Sequence, residues 1–191
     1  MRKDLKTKSK FLSLVLRHKP EAAGVILDEQ GWCEIQSLLA GAESAGVGFS
    51  YSELVEIVET NEKQRFKLSE DGLRIRANQG HSIAVELGLA ERNPPDELFH
   101  GTATRFGEAI MKTGLLKMGR QHVHLSSDIE TARRVGMRHG KPLILRIDSA
   151  LMSEDGFRFY LSENGVWLVD RVPTQYITGE STEPPSVSGS A

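Results

Sequence analysis

The sequence predicts an α+β protein built as two lobes. Two observations carry that reading. Residues up to about 92 read as helices followed by a two-stranded hairpin, and after Asn93-Pro94-Pro95-Asp96 the pattern changes to short strands interrupted by helices. At 191 residues and 21.1 kDa the chain has room for one compact unit or two small domains.

The first helix has Thr7 as its expected cap, and Phe11, Leu14, Val15 and His18 fall at helical spacing. Pro20 forbids its continuation past Lys19, so Arg17 and His18 occupy the last turn, where the helix dipole favours cations. Gly24-Val25-Ile26-Leu27 reads as a short buried strand, and Asp28-Glu29-Gln30-Gly31 as a turn. A brief helix is expected over Glu34–Ala40. Another begins at Ser50, because Ser50 and Glu53 have capping-box spacing. Gln64–Leu68 and Leu73–Ala77 alternate as hairpin strands, which places Arg65, Lys67, Arg74 and Arg76 on one outer face. Helices followed by such a basic wing describe a winged-helix lobe over residues 1–92.

The two prolines at 94 and 95 read as a linker. The lobe over 93–178 opens on the strand Leu98-Phe99-His100, followed by a helix over Thr104–Thr113 and a strand at Val123–Ser126. Ser127 is expected to cap a helix ending at His139-Gly140. Further strands are expected over Leu143–Ile147, Phe157–Leu161, Val166–Val169 and Tyr176–Thr178. Residues 179–191 are rich in Ser, Pro, Thr and Gly and read as a disordered tail. Trp32 and Trp167 are assigned to the cores.

Composition prunes the functional classes. No run approaches the ~18 apolar residues of a membrane span, so no membrane partner is expected. The single cysteine, Cys33, has no internal disulfide partner, and no secretory signal pattern is present, so the expected location is the cytoplasm. No apolar heptad argues for assembly, and a monomer is expected. The net charge is −2, but residues 1–19 carry +6 and 101–146 another +6, against −9 over 20–100 and −5 over 147–191. Confined basic blocks in a mildly acidic chain suggest a local anion site.

No P-loop, dinucleotide glycine motif, Cys-x-x-Cys pair or His-Glu-x-x-His helix is present. His122 and His124, with His100 as a third ligand, could in principle hold zinc. No carboxylate follows at a suggestive spacing, so no metal is expected. Arg17 and His18 read either as dipole compensation or as a phosphate pocket, and Arg65 and Arg120 carry the same double reading. His100-Gly101-Thr102 reads as a strand end that a nucleotide could approach, or as a simple turn. The polar segment Asn78-Gln79-Gly80-His81-Ser82 is a similar case.

Beyond spacing, Ser9-Lys10-Phe11-Leu12-Ser13-Leu14-Val15-Leu16-Arg17-His18-Lys19-Pro20-Glu21 resembles the opening signature of the tRNA 2′-phosphotransferase family. Asp28–Trp32, Lys63–Phe66, Arg76–Ser82, Leu98–Thr102, Gly119–Ser126 and Glu163–Leu168 continue the similarity over about residues 9–177. The resemblance implies a winged-helix lobe joined to an ADP-ribosyltransferase-like lobe. It implies NAD as co-substrate, no metal, and as partner an RNA with an internal 2′-phosphate, tRNA-like, as in tRNA splicing. Its phosphate-binding tetrad falls on Arg17, His18, Arg65 and Arg120. Its NAD contacts fall on His100, Gly101 and Thr102, with Ser126, Gln79, His81 and Ser82 as further candidates. Many ADP-ribosyltransferases use a late-strand Glu, where this chain has Val166 with Glu163 nearby. The alternatives are an enzyme that only ADP-ribosylates phosphate ends of nucleic acid, and a winged-helix binding module without activity.

Overall fold

A computed structural model describes residues 3–181, and the chain in it divides into two compact units. Of the described residues, the first comprises those up to 90 together with 118–121 and 162–164, and the second comprises the remainder. Both are mixed helix and antiparallel sheet, so the fold class is α+β.

The first unit opens with α1 (Lys3–Arg17), which starts earlier than a Thr7 cap would allow and places Thr7 inside the helix. Its buried face is Leu5, Leu12, Val15 and Leu16, whereas Leu14 is 37% exposed. That stripe is rotated from the one read in the sequence, because Leu12 and Leu16 are buried where Phe11 is only partly so and Leu14 and His18 are exposed. A 3-10 turn over Pro20–Ala23 follows, closed by Gly24 at φ +60°. Gly24–Leu27 are therefore not a strand. Val25 is buried and Ile26 is 91% exposed, in a segment with no strand partner. Asp28 Oδ1 accepts from the backbones of Gln30 and Trp32, making the expected turn.

Next come β1 (Cys33–Glu34), α2 (Ile35–Ser44) and α3 (Tyr51–Glu59), the last carrying the Ser50/Glu53 capping box read from spacing. Strands β2 (Phe66–Leu68) and β3 (Arg74–Ala77) pair antiparallel, and β1 joins the far edge of β3, giving the order β1-β3-β2. Phe66 and Ile75 face a core shared with Leu12, Leu16, Leu38, Leu54 and Ile57. Trp32 is not a core residue. It is half-buried, with the guanidinium of Arg76 4.6 Å and that of Arg74 5.5 Å from its ring centroid.

The second unit is built on β4 (Glu97–Ala103), which a 3-10 turn at Thr104–Phe106 leads into α4 (Gly107–Thr113). Then follow β5 (Leu115–Leu116), β6 (Val123–Leu125), α5 (Ile129–Gly136), β7 (Pro142–Asp148) and α6 (Ser149–Glu154). The chain ends in β8 (Tyr160–Leu161), β9 (Trp167–Val169), β10 (Arg171–Val172) and β11 (Ile177–Ser181). The sheets run β11-β7-β4, β6-β9-β8 and β10-β5, with Phe99 and Ser126 exchanging backbone hydrogen bonds between β4 and β6. The cap of α5 is Asp128, whose carboxylate accepts from Thr131 N at 2.7 Å, rather than Ser127, and the helix stops at Gly136. Gly179 lies in β11, so the segment read as a tail begins inside the sheet. Its remainder, 182–191, lies outside the described residues. The carbonyls of Pro95 and Asp96 are bonded by Ser149 and Ala150, which fastens the proline segment to the start of α6.

Helix α5 crosses β4 at very short range. A Cβ on Gly101 would stand 1.7 Å from the Ala132 carbonyl oxygen, and one on Gly136 would stand 2.6 Å from that of Thr102. Backbone cannot yield as a side-chain tip can. Gly101→Ala is expected to destabilise the protein by about 3 kcal/mol or more, as overpacking against backbone does. Gly179→Ala, where nothing lies within 4 Å of the added Cβ, should cost much less in the same chemical denaturation series.

Candidate phosphate-binding site

Four basic side chains read from the sequence belong to the first unit: Arg17 ends α1, His18 follows it, Arg65 precedes β2, and Arg120 sits in the 118–121 segment. Helix α1 terminates with the backbones of His18 and Lys19 both bonded to Leu14 O, at 2.9 and 2.8 Å, which fixes where Arg17 and His18 leave the helix. The Arg17 side chain donates to Arg65 O at 3.4 Å, and its buried Nε has no hydrogen-bond partner among the described residues. Arg65 Nη1 donates to Asn61 Oδ1 at 3.2 Å. His18 Nδ1 lies 2.9 Å from Ser82 Oγ.

These groups feel one another electrostatically. Burial, reinforced by the charges of Arg65 and Arg120, pushes Arg17 down to about 10. His18 is lowered by burial and by Arg17 and Arg120, so the free protein favours a neutral imidazole rather than the protonated one expected from a helix end. Burial lowers Arg65. Among the described residues neither Arg17 nor Arg65 forms an ion pair. Arg17 and Arg65, brought together and bonded to neutral oxygens, make a site that favours an anion.

The hairpin's other cations are compensated. Arg74 pairs with Asp28 at 3.6 Å, while Lys67 and Arg76 both pair with Glu163, at 2.8 and 3.2 Å. Of the four basic residues on that face, Arg65 alone is left without a carboxylate among the described residues. Burial alone would raise Glu163, but its bonds to Lys67 and the nearby Arg76 hold it below its ordinary value. Glu163 is thus an anchor for the hairpin, and the neighbouring Asn164 Nδ2 donates to Lys63 O at 2.9 Å.

Gln79, His81 and Ser82 lie in the same unit, on a segment without helix or strand. Ser82 N donates to Arg17 O at 2.9 Å, and Gln121 N to His81 O at 3.2 Å. Gln121 Nε2 also reaches the carbonyls of Ile83 and Val85. One loop therefore ties down the end of α1, the His18 ring and the segment bearing Arg120. Gln121, which bonds this loop, and Asn61, which bonds Arg65, are not singled out by sequence reasoning. An amide four residues before an arginine carries no motif.

His100, Gly101, Thr102 and Ser126 belong to the second unit, at the β4–β6 junction. His100 Nδ1 donates to His124 O at 3.0 Å, which fixes the tautomer. Gly101 is required by the approach of α5, and Thr102 is buried beside it. The ring of His122 packs against Tyr160 instead of joining His100 and His124. Among the described residues no group of three or more His, Cys, Asp or Glu side chains could hold a metal ion.

His81 is 1% exposed, and neither ring nitrogen has a partner among the described residues. Burial, with the charges of Arg17, His18 and Arg76, pushes it down to about 4. A histidine that stays neutral when folded but charges at ~6.5 when unfolded removes stability as pH falls between those values. Wild type is therefore expected to lose about 3 kcal/mol relative to His81→Gln between pH 7 and 4, measured by urea unfolding at each pH. A difference independent of pH would show that the ring protonates freely in the native state.

Comparison with known proteins converges on one family. The family model described as RNA 2′-phosphotransferase, Tpt1 / KptA family, matches residues 3–171. The "Probable RNA 2′-phosphotransferase" of Hahella chejuensis is 58% identical over 184 residues, 96% of this chain and 99% of that protein. The protein of the same name from Acaryochloris marina is 56% identical over 176 residues, 92% of this chain and 97% of its own length. That from Agrobacterium fabrum is 55% identical over 170 residues, covering 89% and 91%. With matches spanning almost all of the described residues, including every cation of the cluster, the chain belongs to the RNA 2′-phosphotransferase family.

Proposed function

We propose that the protein removes an internal 2′-phosphate from RNA with NAD as co-substrate and no metal. The observation that carries this reading is the cluster of Arg17, His18, Arg65 and Arg120 in a chain of this family, with Arg17 and Arg65 free of any carboxylate partner among the described residues. The helix, strand and hairpin order of the first unit supports a winged-helix lobe. The antiparallel sheets of the second support an ADP-ribosyltransferase-like lobe, with NAD contacts at His100, Gly101, Thr102 and Ser126. Gln79, His81 and Ser82, in the first unit, are further binding candidates. The RNA is tRNA-like, bearing one 2′-phosphate, and the enzyme acts as a cytoplasmic monomer.

In the first step a 2′-phosphate oxygen attacks C1″ of the nicotinamide ribose. The C1″–N bond breaks, and nicotinamide departs with the electron pair. A phosphate is already an anionic nucleophile and needs no carboxylate base, which accords with Glu163 serving the hairpin instead. In the second step O2″ attacks phosphorus and the bond from phosphorus to the RNA O2′ breaks. RNA leaves with a 2′-hydroxyl, together with ADP-ribose 1″,2″-cyclic phosphate. The cations hold the phosphate in line and stabilise charge on its oxygens. Burial and the charges of Arg17 and Arg120 lower His18, and a bound phosphate offsets the arginine part, so that His18 can add a proton and a further hydrogen bond.

The test uses a short RNA with one internal 2′-phosphate, incubated with and without NAD, following RNA phosphate and nicotinamide together. NAD-dependent loss of the phosphate with cyclic-phosphate ADP-ribose formed is the expected result. RNA that retains an ADP-ribosyl group would favour a one-step ADP-ribosyltransferase, and RNA binding without nicotinamide release would favour a binding module. Arg65→Ala and Arg120→Ala should each lower turnover by about 10²–10³, the scale of one lost oxyanion donor, and let ADP-ribosylated RNA accumulate. Near-normal turnover in both variants would remove these residues from the mechanism.

A further inference from the structure

Asn61 follows α3 by two residues and is 6% exposed. Its Oδ1 accepts from two donors, Lys63 N at 3.1 Å and Arg65 Nη1 at 3.2 Å. That pair of donors decides which end of the amide is oxygen. Nδ2 is buried without a partner among the described residues. The Asn61 carbonyl accepts from Gln64 N at 2.7 Å, and Gln64 takes a φ of +41°, uncommon for a residue with a side chain. Asn78 holds the same turn from the other side. Its N donates to Arg65 O at 2.9 Å and its Nδ2 to Gln64 O at 2.6 Å. Two asparagines thus fix Arg65, one through its guanidinium and the other through its main chain.

An aspartate at position 61 would satisfy the same two donors and would bond a guanidinium more strongly. It would also compensate its charge. Carboxylates do hold the hairpin's other basic groups: Asp28 with Arg74, and Glu163 with Lys67 and Arg76. Where the cation is Arg65, the holding group is an amide, which orients without neutralising. The same holds for Arg17, which donates to the Arg65 carbonyl.

We propose that Asn61 is a positioning residue that orients Arg65 toward the RNA 2′-phosphate while leaving its charge uncompensated. This rests on the phosphate-binding role proposed for Arg65. The test measures binding of an RNA with one internal 2′-phosphate, and of its 2′-hydroxyl counterpart, to the full chain by fluorescence anisotropy. Wild type, Asn61→Asp, Asn61→Ala and Asn61→Ser are compared, with a thermal melt of each. Asn61→Asp should melt close to wild type yet lose about tenfold or more in affinity for the phosphorylated RNA, as expected for a carboxylate placed against the guanidinium. Its affinity for the hydroxyl RNA should barely change. Asn61→Ala should weaken phosphate-dependent binding less than Asn61→Asp, and Asn61→Ser, a neutral acceptor, less still.

A purely structural role predicts the reverse order, because aspartate keeps both hydrogen bonds and alanine neither. Asn61→Asp binding phosphorylated RNA as tightly as wild type, or Asn61→Ala binding it more weakly than Asn61→Asp, overturns the proposal. If Asn61→Asp does not fold, Asn61→Ser falling below Asn61→Ala overturns it instead. A wild-type protein with no preference for the phosphorylated RNA overturns the phosphate-site reading itself, and this inference with it.

Discussion

Repulsion between like charges is the constraint on which the first unit depends. The electrostatics of Arg17 respond to both Arg65 and Arg120, and such groups stay together only if something else holds each of them. Carboxylates would do so most strongly and would also cancel the charge the site needs. Arg17 and Arg65 are held by neutral groups, the Arg65 carbonyl and the Asn61 amide, and beside them the Ser82 hydroxyl meets His18. Carboxylates hold the hairpin's other cations. Lys67, Arg74 and Arg76 are paired, and two of them also rest against Trp32.

In the second unit the governing constraint is steric. Gly101 and Gly136 let α5 lie against β4 at a distance that a single methyl group would forbid. That contact fixes the middle of β4, where His100 is bonded to the His124 carbonyl and Phe99 to Ser126. The two units therefore organise their polar residues by different means, one by neutral hydrogen bonds around charge and the other by close backbone packing.

Much of this was legible in the sequence, and the misses have physical causes. The Ser50 capping box, the hairpin alternation and the stop imposed by Pro20 depend on local chemistry, and all are present. Gly24–Leu27 looked like a buried strand because four apolar or small residues adjoin. Burial there reaches Val25 but not Ile26, and strand formation needs a partner that periodicity cannot see. Trp32 looked like core because large aromatics usually are, and only the fold reveals the two arginines beside it. At the candidate site the cations were readable because arginine at a helix end or hairpin edge is conspicuous. Which of them had acquired a carboxylate was not readable, since the partners Asp28 and Glu163 lie 46 and 96 or 87 residues away in sequence. Asn61 gave no signal at all, because a single buried amide has no spacing rule.

The membership of the first unit has a consequence for how this protein can be divided. Arg120 and Glu163 arrive on two short excursions, 118–121 and 162–164, from the half of the chain that otherwise builds the second unit. A fragment cut after residue 90 would keep Arg17, His18 and Arg65 but lose the fourth cation and the anchor of its hairpin. The halves are therefore not interchangeable cassettes. A chimera that exchanges one lobe between relatives would have to carry these two loops with the partner they serve, and modular shuffling at the proline segment would separate what contact has joined.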